Sequence, residues 1–425
     1  MGNLIRPFRL VQPPRHLAHL VASRSYLSYD KKGLKDKFEH NSYSYLQVIN
    51  PDAADDISAE RGTVDFFKEV RKGYDKFLDN GWLEGTEGPV YAIYRQVTPL
   101  TTFTGIISVL DLPKCEDGGV LTHELTLEKR EDLFVSYLET VGFHAEPILC
   151  ARKSGHEGED ELNSAITSIT EGREADCDFS TTDCTRHSVW LINPELNEGF
   201  SEAIATLDTL YLADGHHRLA SSIKMLHRHP NEPGVDRILA FILPAKELSI
   251  LGYHREVRNW DGDIDLLLTK IKAIDSVLRI EKLEGQESCG GCIDIITNQG
   301  EWRLVLKEDN FGTRIDAGWL NDEILNPLLG IEDSRNSPNL KYIAGSNGSS
   351  KKDAKRDSSR DSSLKEVVKD LNNKIVFALH PIPIDQIVSV ADAGNTLPPK
   401  STWVEPKLRS GLFVYEFGLH PHKNG

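Results

Sequence analysis

The clearest indication of the fold comes from residues 210–223, which read LYLADGHHRLASSI. The first four residues are apolar, as in a strand that is buried on both faces, and an amphipathic helical pattern begins at Leu219. Asp214–Arg218 fills the turn between the two. A strand that passes through a short turn into a helix is a basic unit of proteins built from both element types.

Further apolar runs repeat this alternation along the chain. Several contain β-branched residues, as strands covered on both faces do. We predict strands at Val90–Tyr94, Thr104–Leu110, Pro147–Ala151, Val189–Ile192 and Ile238–Leu243. A helical pattern at Leu127–Val141 lies between two of them. The pattern predicts an α/β protein with a mixed, α+β type of sheet.

Local signals place other elements. Phe66, Phe67, Val70 and Tyr74 follow the 3.6-residue period and predict a helix that Thr63 begins and Gly81 ends; Arg6–Tyr29 is predicted to be an extended arm.

The last third of the chain differs in character. A helix is predicted at Leu266–Leu278, and a hairpin at Ile293–Ile296 and Trp302–Leu306. We therefore divide the chain into a motif-bearing lobe, residues 1–258, and a smaller α+β lobe, residues 259–425. The polar stretch 345–363 is expected to be a disordered insertion, and the C-terminal segment is expected to return to the site.

Charge limits the class of partner. The chain of 425 residues contains 49 Lys and Arg against 65 Asp and Glu, so its formal net charge is 49 − 65 = −16. Nucleic acids and anionic membranes are bound by positive fields, so neither is expected as a partner. The apolar runs fall short of the roughly 20 residues that span a bilayer. We expect a cytoplasmic protein with reduced thiols, in which Cys289 and Cys292 flank a glycine-rich turn.

The turn at Asp214–Arg218 has the composition of an anion pocket. The first turn of a helix offers N–H groups without intrahelical acceptors and the positive end of the helix dipole. Gly215 lets the backbone approach a ligand closely, and His216, His217 and Arg218 add donors. The alternative is a plain helix cap, with Asp214 as the cap and Arg218 paired to a surface carboxylate. We favour the anion pocket.

A second motif is His123-Glu124, which comes shortly before the predicted N-cap Thr126. A carboxylate at this place is either part of a helix cap or, beside a phosphate pocket, a general base or magnesium ligand. A zinc-hydrolase helix is disfavoured because Leu127 stands where the second histidine would be needed. Two stretches near the C-terminus, 397–403 and 406–412, carry cationic and hydroxyl side chains that suit either a solvated loop or a phosphate or lid contact. Among them are Lys400, Ser401 and Thr402 in the first stretch and Lys407 and Arg409 in the second.

These motifs together resemble a known family. The matching pieces are Ile5–Arg9, Asn41–Leu46, His123–Thr126, Ala213–Arg218 and Pro398–Trp403. They run in order over nearly the whole chain and resemble the domain-of-unknown-function family DUF1015, of the ParB/sulfiredoxin-like superfamily. Ser42 departs from the proline that the family often carries there, and the insertion is peculiar to this chain.

The resemblance implies a ParB/sulfiredoxin-like core whose turn faces a nucleotide. Relatives in the superfamily hold nucleotide phosphates at this turn, and some phosphorylate free L-serine. The roles implied are catalytic for Glu124, Asp214 and His216, magnesium-binding for Asp214 and Glu124, and nucleotide-binding for Gly215, His217, Arg218, Lys400, Ser401 and Thr402.

The function expected is therefore an ATP- or ADP-dependent phosphotransferase with Mg²⁺, acting on a small hydroxyl compound such as free L-serine. The first rival is a nucleotide-gated binding protein that does not transfer phosphate. The second is a sulfiredoxin-like reductase, which requires a reactive thiol, such as that of Cys115 or Cys150, close to Arg218.

Overall fold

The computed structural model describes residues 3–24, 31–54, 57–283, 291–307, 316–334, 337–345, 364–397 and 403–418. The chain divides into two compact units. The first contains residues 1–122, 126–248 and 406–425, and the second contains residues 123–125 and 249–405. None of the described helices is both long and apolar enough to cross a membrane.

The strands follow one another along the chain as β1 (Ile5–Arg6), β2 (Leu10–Gln12), β3 (Glu84–Gly85), β4 (Tyr91–Val97), β5 (Thr102–Asp111), β6 (Val120–Leu121), β7 (Phe143–His144), β8 (Ile148–Arg152), β9 (Cys177–Ser180), β10 (Arg186–Ile192), β11 (Leu210–Asp214), β12 (Arg237–Pro244), β13 (Ser249–Leu251), β14 (Tyr253–Arg258), β15 (Val277–Lys282), β16 (Cys292–Thr297), β17 (Gly300–Leu306), β18 (Leu340–Ala344), β19 (Lys374–Leu379), β20 (Trp403–Glu405) and β21 (Val414–Glu416). The α-helices are α1 (Ala18–Val21), α2 (Lys31–His40), α3 (Leu46–Ile49), α4 (Pro51–Ala54), α5 (Val64–Asp79), α6 (Leu112–Lys114), α7 (Glu128–Val141), α8 (Glu159–Gly172), α9 (Glu198–Ala205), α10 (His216–Arg228), α11 (Ile264–Lys272), α12 (Asp316–Leu320), α13 (Leu364–Val367) and α14 (Ile384–Asp392).

The main sheet of the first unit is mixed. Its strand order is β6-β11-β8-β12-β5-β4-β10-β9, with β1 added beside β5. Strand β8 runs parallel to β12 and antiparallel to β11. The predicted strands between residues 90 and 243 all lie in this sheet, and the predicted α/β class with a mixed sheet is confirmed.

Different elements pack against the two faces of this sheet. One face packs against helices α8, α9 and α10, where Ile148, Cys150 and Leu212 of the sheet belong to a single apolar core. On the other face, the ring of Tyr94 contacts that of Phe413, which lies in the C-terminal segment, at 4.9 Å between centroids. The C-terminal segment therefore packs against the sheet face opposite these helices.

A bulge moves the end of β11 from one face to the other. Leu212 pairs with Cys150, but Asp214 pairs with Leu149, so the ladder shifts by one residue at Ala213. Residues directly opposite in an antiparallel pair share a face, and neighbours along a strand alternate. Asp214 therefore shares the face of Leu149, away from the apolar core that holds Leu212 and Cys150.

The amphipathic helix predicted near residue 63 is confirmed as α5. Thr63 is its N-cap, and its hydroxyl oxygen accepts a hydrogen bond from the backbone N–H of Phe66 at 3.3 Å. Gly81, just after the helix, has φ +67°. The predicted cap and stop signals both act as expected.

The second unit contains a six-stranded antiparallel sheet in the order β15-β17-β16-β19-β14-β18. The predicted hairpin is confirmed, since β16 pairs with β17 around residues 298 and 299. The helix predicted over Leu266–Leu278 is wrong at its end: α11 stops at Lys272 and Val277 begins β15. The exposed Leu278 is part of that strand, so apolar spacing continued past the point where the helix ends.

Other local expectations need correction. The N-terminal arm is extended at β1 and β2, but α1 interrupts it, and its residues 25–29 lie outside the described part. Thr126 does not cap α7; the N-cap position is Leu127, and the Thr126 hydroxyl donates to a Glu131 carboxylate oxygen at 2.5 Å instead. Cys292 is disulfide-bonded rather than reduced. Its predicted companion Cys289 and residues 346–363 of the predicted insertion 345–363 lie outside the described residues.

Candidate functional site

The turn between β11 and α10 requires glycine at its centre. Gly215 is the N-cap of α10, with φ +103° and no side chain to cap the helix. A Cβ atom there would lie 2.8 Å from Cγ2 of Ile148 and 3.1 Å from Nη2 of Arg218. Both the backbone conformation and the crowding strongly disfavour any residue larger than glycine. The N-cap residue of α10 therefore has no side chain that could cover the backbone at the start of the helix.

The carboxylate of Asp214 is held by two cations. Its Oδ2 accepts from Nη2 of Arg218 at 2.7 Å, and its Oδ1 accepts from Nζ of Lys407 at 3.2 Å. Arg218 comes from the first turn of α10, whereas Lys407 comes from the C-terminal segment. All three residues belong to the first unit. The helix-cap alternative therefore fails for Asp214, which anchors cations while Gly215 takes the cap position.

These contacts fix the charge of Asp214. Burial alone would raise its pKa, but the positive charges of Lys407 and Arg218 outweigh burial and hold the pKa below its ordinary value. The carboxyl group is therefore ionised at neutral pH. One negative charge lies between two positive charges, and the three together carry a net charge of +1.

Arg218 is built into the fold. Besides Asp214, its Nη1 donates to the carbonyl oxygens of Glu146 and Pro147, at 3.0 and 2.6 Å. These carbonyls precede β8, so the guanidinium ties the start of that strand to the start of α10. The side chain is 22% exposed, so it does not point into bulk water.

The histidines of the turn are also enclosed. His216 is buried and His217 is half-buried. A third histidine, His144 of β7, is near enough to Arg218 for the positive charge of the arginine to affect its pKa. Burial, and then the charge of Arg218, lowers the pKa of His144 to about 3, so its ring is neutral at physiological pH. The ring of Tyr415 stacks parallel to it at 6.2 Å between centroids.

The C-terminal segment is fastened by further polar contacts. The guanidinium of Arg409 is ion-paired with Asp183 and donates to the hydroxyl oxygen of Thr181 at 3.2 Å. The hydroxyl of Ser410 donates to Oε1 of Glu146 at 2.7 Å, and its backbone N–H donates to the carbonyl of Ser23 at 2.9 Å. Together with Lys407, the segment thus contacts three carboxylates of the first unit.

Buried titratable groups surround Arg409. Burial would raise the pKa of Asp183, but hydrogen bonds from Thr181, Arg24 and Arg409 lower it well below the ordinary value. His187 is fully buried; burial, and then the charge of Arg409, lowers its pKa to about 3. Asp183 is therefore ionised and His187 neutral at physiological pH.

The other expected site residues lie elsewhere. Glu124 belongs to the second unit, where it forms a β-bridge with Leu397, and its side chain is half-buried. Lys400, Ser401 and Thr402 lie outside the described residues. The structure thus brings Asp214–Arg218 into one turn, while the roles expected for Glu124 and the three C-terminal residues stay predictions.

Magnesium fits Asp214 poorly. A Mg²⁺ ion bound to this carboxylate at about 2 Å would lie close to the ammonium of Lys407 and the guanidinium of Arg218. Like unit charges about 4 Å apart near a protein surface repel by about 4 kcal/mol, and a divalent ion doubles that repulsion. Nor does any group of three or more His, Cys, Asp or Glu in the described part of the chain have the arrangement of a metal site.

Chemistry based on a thiol beside the turn finds no support either. The charge of Arg218 does act on Cys150, so the two residues are near one another. Cys150 is nevertheless fully buried in the apolar core beneath α10, and burial raises the pKa of its thiol well above the ordinary value. A reactive cysteine needs an exposed thiolate, so a reductase role is not supported.

Lys407 was expected only as one of several cations near the C-terminus, and the sequence did not place it beside Asp214. It stands 193 positions beyond Asp214, in a segment without regular period. The available signal was the alternation of Lys407 and Arg409, which places two cations on one side of an extended segment. This alternation predicts that Lys407 and Arg409 lie on the same side of the segment, but it does not predict which carboxylates they contact.

Comparisons with known proteins give limited similarity. No curated protein matches the chain. Among solved structures, C-terminally truncated SbnI from Staphylococcus aureus has 12% identity and a TM-score of 0.39, covering 74% of this chain and 87% of that one. A mutant free serine kinase in complex with ADP has 13% identity and a TM-score of 0.38, covering 74% and 92%. A conserved hypothetical protein from Pyrococcus furiosus has 13% identity and a TM-score of 0.34, covering 74% and 95%.

A family model gives the broader match. The model described as protein of unknown function (DUF1015) matches residues 5–328, which is most of the chain and includes the Asp214–Arg218 turn. The chain therefore belongs to the DUF1015 family.

Proposed function

We propose that this protein is a nucleotide-dependent phosphotransferase acting on a small hydroxyl compound, with free L-serine as the first candidate and O-phosphoserine as its product. The observation that carries the proposal is the turn at Gly215, where a glycine N-cap exposes the start of a 13-residue helix beside the cations of Lys407 and Arg218. Phosphate is the ligand class that such a helix start and such cations bind.

Phosphoryl transfer needs little else from a protein. It depends on holding the donor and acceptor in line and on placing positive charge around the transferring oxygens. The net charge of +1 on the set of Asp214, Arg218 and Lys407 meets the second need. In this proposal His216 and His217 add donors at the start of α10, and ADP or ATP is the phosphate donor.

The remaining roles extend the proposal beyond the turn. Glu124 is proposed as the base that accepts the proton of the substrate hydroxyl, and Lys400, Ser401 and Thr402 as further nucleotide contacts. Mg²⁺, where it accompanies the nucleotide, would neutralise phosphate charge. Because Asp214 lies between two cations, we place no magnesium ion on it, and Glu124 is the carboxylate left for that role.

Phosphorus NMR tests the proposal directly. The wild-type protein with ATP or ADP, Mg²⁺ and L-serine should give a new phosphomonoester resonance that grows with time. Glu124→Gln should abolish that growth and leave the binding of nucleotide without Mg²⁺ intact, because the substitution removes the base and the proposed magnesium ligand but no nucleotide contact. Lys224→Met, which removes a surface lysine bonded to Asp132 at 2.7 Å, serves as the control and should behave as wild type.

The outcomes separate the candidate functions. Nucleotide binding without a monoester from serine or other small hydroxyl compounds would favour a nucleotide-gated binding protein. An absence of nucleotide binding by isothermal titration would reject both functions.

A further inference from the structure

The polar contacts of the C-terminal segment are not equivalent. Arg409 has a side chain that is 8% exposed, and its ion-pair partner Asp183 is 17% exposed. Lys407 and Asp214 are 37% and 40% exposed. The first pair is thus enclosed, as a fastening contact is, while the second is partly exposed.

Lys407 has the chemistry of a phosphate contact. Its ammonium is a compact charge with three rotatable N–H donors on a flexible stem, and lysine binds phosphate as a point charge. The carboxylate of Asp214 holds Nζ at 3.2 Å, in the same turn where α10 begins. A carboxylate that holds the ammonium at one place reduces the freedom that ligand binding must otherwise remove.

We infer that Lys407 contacts the phosphate of the nucleotide and that Asp214 is a positioning residue for Lys407 rather than a metal ligand. The inference rests on the proposed function, because it assumes that a nucleotide binds at this turn. It adds to that function a binding residue from the C-terminal segment and a different role for the carboxylate. Lys407 and Asp214 both belong to the first unit and are in direct contact, so substitutions at these two positions can test the inference.

A double-mutant cycle separates the two roles of Asp214. The variants are Lys407→Met, Asp214→Asn and their combination, with Lys407→Arg as the conservative change. Isothermal titration measures the affinity of each full-length variant for ADP and for AMP, with and without Mg²⁺. Lys224→Met is the matched control, because Lys224 is 28% exposed and also bonded to an aspartate, Asp132.

Lys407→Met should weaken ADP binding about tenfold or more, the range of one charge-assisted contact. AMP binding should weaken by a smaller factor, because AMP brings less negative charge to the ammonium. Lys407→Arg should retain most of the affinity, and Lys224→Met all of it. Asp214→Asn should also weaken ADP binding, and adding it to Lys407→Met should cause little further loss, because its effect acts through the lysine.

Several results would overturn the inference while leaving the proposed function intact. One is wild-type ADP affinity in Lys407→Met. Another is an equal loss for ADP and AMP, which would indicate that Lys407 only fastens the segment. A third is an Asp214→Asn variant that loses its response to Mg²⁺ and adds its full effect to that of Lys407→Met, which would make Asp214 a metal ligand. A wild-type protein that binds no nucleotide would overturn the inference and the proposed function together.

Discussion

Replacing Gly215 by alanine is the most direct test of how the turn is built. At φ +103° an L-residue is strained, which costs about 1–3 kcal/mol. The new Cβ would lie 2.8 Å from Cγ2 of Ile148, about 0.7 Å closer than the shortest ordinary carbon contact of about 3.5 Å. Overpacking of this kind costs about 1–3 kcal/mol more, so we expect a total loss of about 2–6 kcal/mol in the free energy of unfolding.

A second glycine supplies the control. Gly81 also has positive φ, at +67°, but a Cβ there would meet nothing within 4 Å. Gly81→Ala should therefore show the backbone strain alone. The difference between the two variants isolates the crowding around Gly215 and should be about 1–3 kcal/mol.

Urea unfolding of both variants gives the free energies. Hydrogen exchange of peptides from β8, β11 and α10 limits the comparison to the first unit, since a chain with two compact units need not unfold in one step. If Gly215→Ala costs no more than Gly81→Ala, within about 0.5 kcal/mol, the packing argument for the turn is refuted.

Two further predictions concern the titratable groups that are buried near Arg409 of the C-terminal segment. Asp183→Asn should cost about 3 kcal/mol in the free energy of unfolding at pH 7, because it leaves Arg409 buried without its ion pair. Since the folded-state pKa of Asp183 is depressed, this stabilisation is present above the unfolded pKa of about 3.9 and is lost as the pH falls through the folded pKa. The urea-unfolding curves of wild type and variant should therefore converge only in acid. His187→Gln should make the protein less sensitive to mild acid. The pKa of His187 is about 3 in the folded state and about 6.5 in the unfolded state, so the unfolded chain binds the proton first as the pH falls. The free energy of unfolding of wild type should therefore fall by about 2 kcal/mol through this residue between pH 6.5 and 5. An unchanged pH slope in His187→Gln, measured by the same unfolding assay, would contradict the buried neutral state.

The sequence predicted the local features well because they have local causes. The helix α5 follows from side-chain period and from the hydroxyl of Thr63, and α10 follows from the glycine turn, all of which are written within a few residues. The end of α11 was missed because the apolar spacing continues through Leu278 into a strand, and spacing alone does not distinguish a short strand from the last turn of a helix.

The main features of the candidate site have non-local causes. Nothing in residues 210–214 predicts the bulge at Ala213, which depends on the pairing with β8 and moves Asp214 to the face of Leu149. The contact between Asp214 and Lys407 joins a strand end to a segment near the C-terminus. Sequence reasoning identified the turn as polar and glycine-centred, but the cation that the carboxylate holds became visible only in three dimensions.

The distribution of charge around the turn constrains how a nucleotide would arrive. Four cations (Arg24, Arg218, Lys407 and Arg409) and three carboxylates (Glu146, Asp183 and Asp214) lie in these contacts, so their local charge is 4 − 3 = +1. The whole chain carries −16. An approaching polyphosphate is therefore repelled at long range by the net negative charge of the chain. It is attracted only at short range, by the cations near the turn.

Salt should accordingly raise the rates of both association and dissociation, for different reasons. The screening length is about 30 Å at 0.01 M and about 10 Å at 0.1 M, so added salt removes the distant repulsion first. The association rate of ADP, measured by stopped flow, should rise between these concentrations, whereas a binding site steered by a broad positive surface would show the rate falling. The dissociation rate should rise as well, because the contact with the exposed ammonium of Lys407 is screened once the ligand is bound. An association rate that falls with salt would mean that cations outside this cluster govern the encounter, and the site would then extend beyond the turn.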